Sequence, residues 1–278
     1  MSDSGVRVTV LVENRAARPE LGGEHGFAAM VESPGGTVLF DTGASDLVAR
    51  NARALGLDLS GVDAVALSHG HYDHTGGLPA VLAAIRPEVR IFAHPAAFER
   101  KYAVRPGKPA RSIGVPEVPA GGRLSLAAGP REIMPGVTLM GQVPRVTAYE
   151  DTGGPFFLDP EGTAPDFLVD DTSLLVSTPA GPVLITGCAH AGIVNTLRRA
   201  SELSGDTRFA AVLGGTHLMS ASQHRLERTV SDLGDFDVAI LAPVHCTGEV
   251  AAGKLRRACG ERYRDCPAGT VLAFPEGN

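Results

Sequence analysis

The stretch ALSHGHYDHTGGLP, residues 66–79, sets His69, His71, Asp73 and His74 within six positions, between an apolar run and a Gly-Gly pair. Neutral imidazole and carboxylate are the ligands that zinc takes, and that manganese, iron or nickel also accept. Crowded together without a cation, such groups repel one another, so the spacing points to a metal site. In an extended strand end, side chains two apart share a face. That aligns His69 with His71, while Asp73 and His74 fall where the chain bends into a helix start at Gly76–Gly77. One ion is then offered two nitrogens, and a neighbour a carboxylate and a nitrogen. The bland alternative is a solvated polar turn. Nine histidines in 278 residues make four ligand-type groups in six positions a poor fit to chance.

Further ligands are expected from strand ends later in the chain, where α/β sites gather. VLITGCAH delivers Cys188 and His190, AVLGGTH delivers His217, and LAPVHCTG delivers His245 and Cys246. His217 is open between ligand, substrate contact and structural residue. His94 and His224 read as structural or surface groups, and His25, in GGEHGFAA, as a loop residue within reach of the pocket.

The elements that must position these groups are short β-branched runs alternating with amphipathic stretches. Strands are predicted at 6–12, 27–33, 37–43, 63–69, 89–94, 208–218, 237–248 and 269–274, with a hairpin over 172–190 turning at Pro179–Pro182. Helices are predicted at 45–57, opening on a Ser N-cap, and at 76–85, 191–203, 222–234 and 249–260. Strands followed by helices in each half imply a layered α/β structure with helices on both outer faces. From about 95 to 165 the pattern degrades into Pro- and Gly-rich sequence, read as loops with short strands, a loop-rich excursion at the edge of a single domain spanning 1–278.

Composition bounds the possibilities. With 44% hydrophobic and 20% charged residues, the chain is of ordinary globular make-up. A net charge of −6 argues against a general nucleic-acid surface. No stretch suits a membrane span, and the N-terminus lacks the pattern of a signal peptide, so the cytoplasm is the expected location. Cys188, Cys246, Cys259 and Cys266 are too few for a disulfide scaffold and are expected as thiols.

The His69–His74 stretch, with its apolar strand before and TGGL after, resembles the H-x-H-x-D-H signature of the metallo-β-lactamase superfamily. That resemblance implies an αββα four-layer sandwich and a site for two divalent ions, zinc first and manganese, iron or nickel as alternatives. It implies that His190 completes one site with His69 and His71, and that His245 completes the other with Asp73 and His74. Asp41, ending VLFDTG, would brace the metal-binding loop, or else serve only as a turn residue before Gly43. The usual TGD of that superfamily is here TGC, which places Cys188 beside the ligands, and Asp170 and Asp171 stand where a histidine is usual.

EHGFAAMVE, TGCAHAGIVN, LGGTHL and PVHCTG together are similar to a narrower subgroup over about residues 6–250. It is named for 7,8-dihydropterin-6-methyl-4-(β-D-ribofuranosyl)aminobenzene-5′-phosphate synthase. The expected partner is therefore a small molecule, phosphorylated and pterin-like, with neither nucleic acid nor membrane involved. Gly187 and Gly192 around a helix start, with Asn195 behind them, offer backbone N–H groups to an anion. Lys101, Arg105, Lys108 and Arg111 would form a positive lid, and Tyr102, Tyr149, Phe156 and Phe157 would stack on a flat ring. A plain helix cap and a solvated loop are the alternatives. Asp73 and His217 are the candidate catalytic residues, Asp73 as a ligand rather than a free base. The expected chemistry is metal-assisted attack on an ester, lactone or phosphoester, or a condensation releasing pyrophosphate. A bound ion supports either by lowering the pKa of its water from 15.7 to about 7. Competing readings are a phosphodiesterase, lactonase or thioesterase, an iron-loaded redox protein, and a non-catalytic binding protein.

Overall fold

The structure, a computed structural model, describes residues 5–118 and 123–276. Among the described residues two large sheets form. The first runs Val271–Phe274, Val6–Val12, Ala28–Ser33, Gly36–Phe40, Ala64–Ala66, Arg90–Ala93, Leu124–Leu126 in spatial order. The second runs Leu241–Val244, Ala211–Gly215, Val183–Thr186, Ser173–Val176, Val137–Leu139, Arg131–Met134.

Alternation along these strands sorts side chains into three buried layers. Val8, Val10, Phe40 and Ala66 of the first sheet meet Leu174, Ile185, Leu213 and Val244 of the second between the sheets. Leu39, Val65 and Ile91, one residue out of phase, face helices Leu47–Ala54 and Leu78–Ala84. Leu184, Val212 and Leu241 face helices Ile193–Ser204, Gln223–Asp232 and Glu249–Cys259 on the opposite side. Strands covered on both faces have no polar side to show, which is why they read as continuous apolar runs. The result is the expected αββα sandwich.

Topology then places the site. Gly36–Phe40, Ala64–Ala66 and Arg90–Ala93 pair in parallel, as do Val183–Thr186, Ala211–Gly215 and Leu241–Val244. Their C-terminal ends share one edge of the sandwich, and the segments leaving them carry Asp41, His69, His190, His217 and His245. Four of these turns hold a non-glycine residue in left-handed backbone: Asp41 (φ 58°), Ala189 (54°), His217 (48°) and His245 (53°). Such conformations cost free energy and cluster where function demands a side chain's direction.

The short strands expected in the 95–165 excursion join the large sheets, Leu124–Leu126 the first, and Arg131–Met134 and Val137–Leu139 the second. The rest of that region adds a small sheet of Tyr102–Ala103, Arg111–Ser112 and Phe156–Phe157. Asp73 and His74, in turn, lie on a one-turn helix, Tyr72–Thr75, ahead of the Gly76–Gly77 bend. No described helix is long and apolar enough to cross a membrane.

Candidate metal centre

The predicted ligands converge. His69, His71 and His190 each aim a ring nitrogen into one space, these atoms lying within 4.8 Å of one another. His25, Asp73 and His245 form a second such group. His74 joins it, with its Nε2 3.2 Å from His245 Nε2 and 4.0 Å from Asp73 Oδ2. The ligand-type residues from 69 to 74, with His190 and His245, are buried, whereas His25 stands at the rim with half its side chain exposed.

The hydrogen bonds behind the rings assign their protons. Ser68 Oγ donates to Asp41 Oδ2 at 2.7 Å, so it accepts from His69 Nδ1 at 2.9 Å and leaves His69 Nε2 a lone pair. His190 Nδ1 donates to the Thr152 carbonyl at 2.8 Å, and its Nε2 is buried without a partner, as is His71 Nε2. His74 Nδ1 donates to Asp41 Oδ2 at 2.7 Å, and His245 Nδ1 to Asn14 Oδ1 at 3.2 Å. The two Nε2 atoms face each other at 3.2 Å, with Asp73 Oδ2 3.4 Å from that of His245, so a proton or a cation must lie among them. Stranded buried acceptors demand an explanation. Three neutral imidazoles on one side and a carboxylate with imidazoles on the other are a donor set that fits divalent transition ions.

Electrostatics divide the groups. Burial pushes His69 and His190 well below the usual imidazole range and His71 down to about 3. Burial opposes charge on His74 too, but the Asp41 carboxylate overrules it and lifts the ring to about 9. Asp73 is likewise buried, yet hydrogen bonds from His245 and His25 hold its carboxyl well below the usual carboxylate range.

Cys188 lies between the groups, its Sγ 3.2 Å from His74 Nε2 and near enough to His69, His190, His217 and His245 to share ligand clusters with each. Burial raises its thiol pKa. All four cysteines are unpaired. The His217 ring stacks 4.1 Å from His190, with its Nδ1 buried and unpartnered. Phe156 walls the same group, 5.1 Å from the His71 ring and 5.4 Å from His190. Asp171, one of the two aspartates standing where the superfamily usually has a histidine, accepts the Ala191 N–H at 2.9 Å and is lifted by burial to about 6.

Several predicted substrate contacts are occupied otherwise. Lys101 is no lid residue: it is buried, its Nζ 2.8 Å from Asp166 and 3.0 Å from Asp170. Asp170 in turn accepts the Gly70 N–H at 2.8 Å, which braces the turn between His69 and His71. Gly192 does start the Ile193–Ser204 helix, but Glu150 already accepts the Val194 and Asn195 N–H groups at 3.0 Å each, so the helix has its anion. Asn195 is buried, its Oδ1 taking the Val146 and Thr147 N–H groups and its amide donating to Ala191 O. Arg105 is exposed on the turn of the small sheet. Tyr149 bonds Asp232 at 2.9 Å. Arg111 stays near the metal loop, its guanidinium over the Tyr72 ring at 5.3 Å.

Sequence reasoning missed Ser68, Asn14 and Thr152. Ser68 and Asn14 carried a weak signal, each a small polar residue at the end of an apolar run. Thr152 carried none, because it acts through its carbonyl.

Comparison with known proteins accords with this geometry. Residues 21–245 match the family model of the metallo-beta-lactamase superfamily. The chain is 29% identical, over 90% of both sequences, to the 7,8-dihydropterin-6-methyl-4-(beta-D-ribofuranosyl)-aminobenzene-5′-phosphate synthase of Methanocaldococcus jannaschii. It is 34% identical to an uncharacterized protein of the same organism, over 89% of this chain and 93% of that one. A crystal structure of a metal-dependent hydrolase of the beta-lactamase superfamily superposes with TM-score 0.82 at 32% identity, covering 98% of this chain and 100% of that one. The YhfI protein of Bacillus subtilis, at 13% identity and TM-score 0.58, shares the fold over 97% of this chain and 99% of that one. The chain belongs to the metallo-β-lactamase superfamily.

Proposed function

We propose that this protein is a divalent-metal-dependent enzyme, a hydrolase or transferase, acting on a phosphorylated, ring-bearing small molecule. The observation that carries it is the pair of adjoining buried groups, His69–His71–His190 and Asp73–His74–His245, which crowd ring nitrogens and a carboxylate together and leave His71 Nε2 and His190 Nε2 without partners. When bound, divalent ions there supply Lewis acidity toward a carbonyl or phosphoryl oxygen and acidify a coordinated water. The chain's own residues do the rest. Asp41, through Ser68 and His74, holds rings of both groups in one tautomer. Asp73, already engaged by His25 and His245, serves as a ligand and not as a free base. His217, partly exposed beside His190, contacts the substrate, and Phe156 gives a flat ring a face to lie on. His25 and Arg111 stand at the rim for a polar or anionic portion.

The phosphorylated pterin-like substrate is supported by the 29% identity to the archaeal synthase. Simple hydrolysis, as a phosphodiesterase, lactonase or thioesterase, is supported by the metal-dependent hydrolase that superposes so fully. The test is metal-stripped protein restored with zinc, manganese, iron(II) or nickel. It is assayed on chromogenic esters, lactones and bis-p-nitrophenyl phosphate, and for pyrophosphate release with a phosphoribosyl donor. His69→Ala and Asp73→Ala are expected to lose bound metal and turnover together. Full activity after chelation overturns the proposal.

A further inference from the structure

The Thr152 carbonyl that fixes the His190 ring belongs to the chain's backbone, so its position is set only by whatever holds residues 150–153. Each of these four residues is tied down. Glu150 accepts two N–H groups at the start of the Ile193–Ser204 helix. Asp151 pairs with Arg225 of the Gln223–Asp232 helix and accepts the Gly153 N–H at 2.8 Å. The Thr152 carbonyl accepts the His190 Nδ1–H hydrogen bond at 2.8 Å. Gly153, at φ 82°, lies so close to the His217 ring that a Cβ would strike it, and its carbonyl accepts from Ser220 Oγ at 3.2 Å.

Arg225 stands out among these anchors. It is among the largest fully buried side chains, 1% exposed, and its Nε and Nη2 are buried without hydrogen-bond partners. Its ion-pair partner, Asp151, has a side chain 73% exposed. A buried guanidinium with donors unmet is costly. A neutral residue would fill the same space more favourably if packing were the sole purpose. What the guanidinium adds is a directed charge on the strap that carries the Thr152 carbonyl.

We propose that Arg225 is a positioning residue for the metal centre: through Asp151 it sets the strap at 150–153, and the strap sets His190 as a lone-pair donor. The inference rests on the reading of His190 as a ligand. Partners behind a ligating histidine change metal affinity by about 10–100-fold when removed. The strap touches His190 and not His74 or His245, so its effect falls on one group.

The test is a cobalt(II) titration of metal-stripped protein by calorimetry and visible absorption, with His190→Ala marking which binding event belongs to the first group. Asp151→Asn, at an exposed position, is expected to weaken that event roughly 10-fold and leave the other unchanged. Arg225→Ala should do at least as much, and Arg225→Lys should recover part of the loss. Nitrogen-15 spectra of metal-free Asp151→Asn should show His190 losing its fixed Nδ1–H tautomer, a signature that a purely structural role would not move. Wild-type affinity at both events in Asp151→Asn, with the tautomer intact, overturns the proposal. Absence of any cobalt binding by the wild-type chain overturns instead the metal reading on which it rests.

Discussion

The two ligand groups sit side by side yet are built on opposite principles. In the His69–His71–His190 group the supporting acceptors are neutral, a serine hydroxyl behind His69 and a peptide carbonyl behind His190. Burial outweighs the pull of the nearby Asp73 charge on His69 and His71 and of the Thr152 carbonyl on His190, and drives all three rings toward the neutral form. In the other group a carboxylate stands directly behind His74 and another lies among the ligands, so a proton is retained where a cation could be. The contrast shows how one sheet edge builds two unlike groups of ligand-type side chains. Their ligand counts are similar, but the charge behind them is not. It also shows that Asp41 is shared, because its Oδ2 receives both the Ser68 hydroxyl and the His74 ring.

The largest effect should therefore come from Asp41→Asn. Asparagine tolerates the left-handed backbone at this position, so any loss reports the carboxylate. An amide turns a donor toward Ser68 or His74 and leaves a buried group unmatched. Metal-free stability should fall by about 3 kcal/mol in denaturant melts, and both metal-binding events should weaken. If one keeps its wild-type affinity, Asp41 does not join the groups. Asn14→Ala gives the smaller, one-sided counterpart. It removes the acceptor behind His245 Nδ1 and the donor to His245 O. The second event alone should weaken about 10-fold, with about 1 kcal/mol lost in stability. Equal weakening of both events would contradict the division.

How much of this was legible in the sequence follows from which interactions leave a trace in residue type. The convergence of the six candidate ligands and Asp41 was readable because few side chains suit such a cluster, and because the segments that carry them leave apolar runs that had to be strands. The layers were readable because Val65 and Ala66 face opposite ways on one short strand. Lys101 and the helix start at Gly192 were misread for one reason: a charged or donor-rich segment looks the same whether it faces water or an internal partner. Lys101 looked like a lid cation until Asp166 and Asp170, more than sixty residues away, closed around it. The N–H groups after Gly192 looked free until Glu150 filled them. Long-range pairing of opposite charges has no local period. Nor does a carbonyl such as that of Thr152 announce itself in any alphabet of side chains.

The Lys101 network sharpens the comparison from the side of the first group, since Asp170 supports Gly70 between His69 and His71. One ammonium faces two buried carboxylates. Burial works against the Lys101 charge, but Asp170 and Asp166 outweigh it and raise its pKa. Asp170 is left with the deficit: burial and its neighbour Asp166 raise its pKa above the ordinary 3.8, although Lys101 and the Gly70 N–H oppose this. An acid with a raised folded pKa keeps its proton in the native state where the unfolded chain has already lost it. By linkage, stability then falls as pH rises from 3.8 through the folded value. Asp170→Asn keeps an oxygen for the Gly70 N–H but turns its NH2 toward Lys101, which Asp166 alone then neutralises; the loss of a carboxylate that burial disfavours at pH 7 offsets that mismatch. Its cost at pH 7 should be under about 1 kcal/mol, the smallest effect predicted, and its urea melts should lose this group's part of the acid-side slope. A large loss at pH 7 would show instead that the ionised Asp170 is what keeps the His69–His71 turn in place.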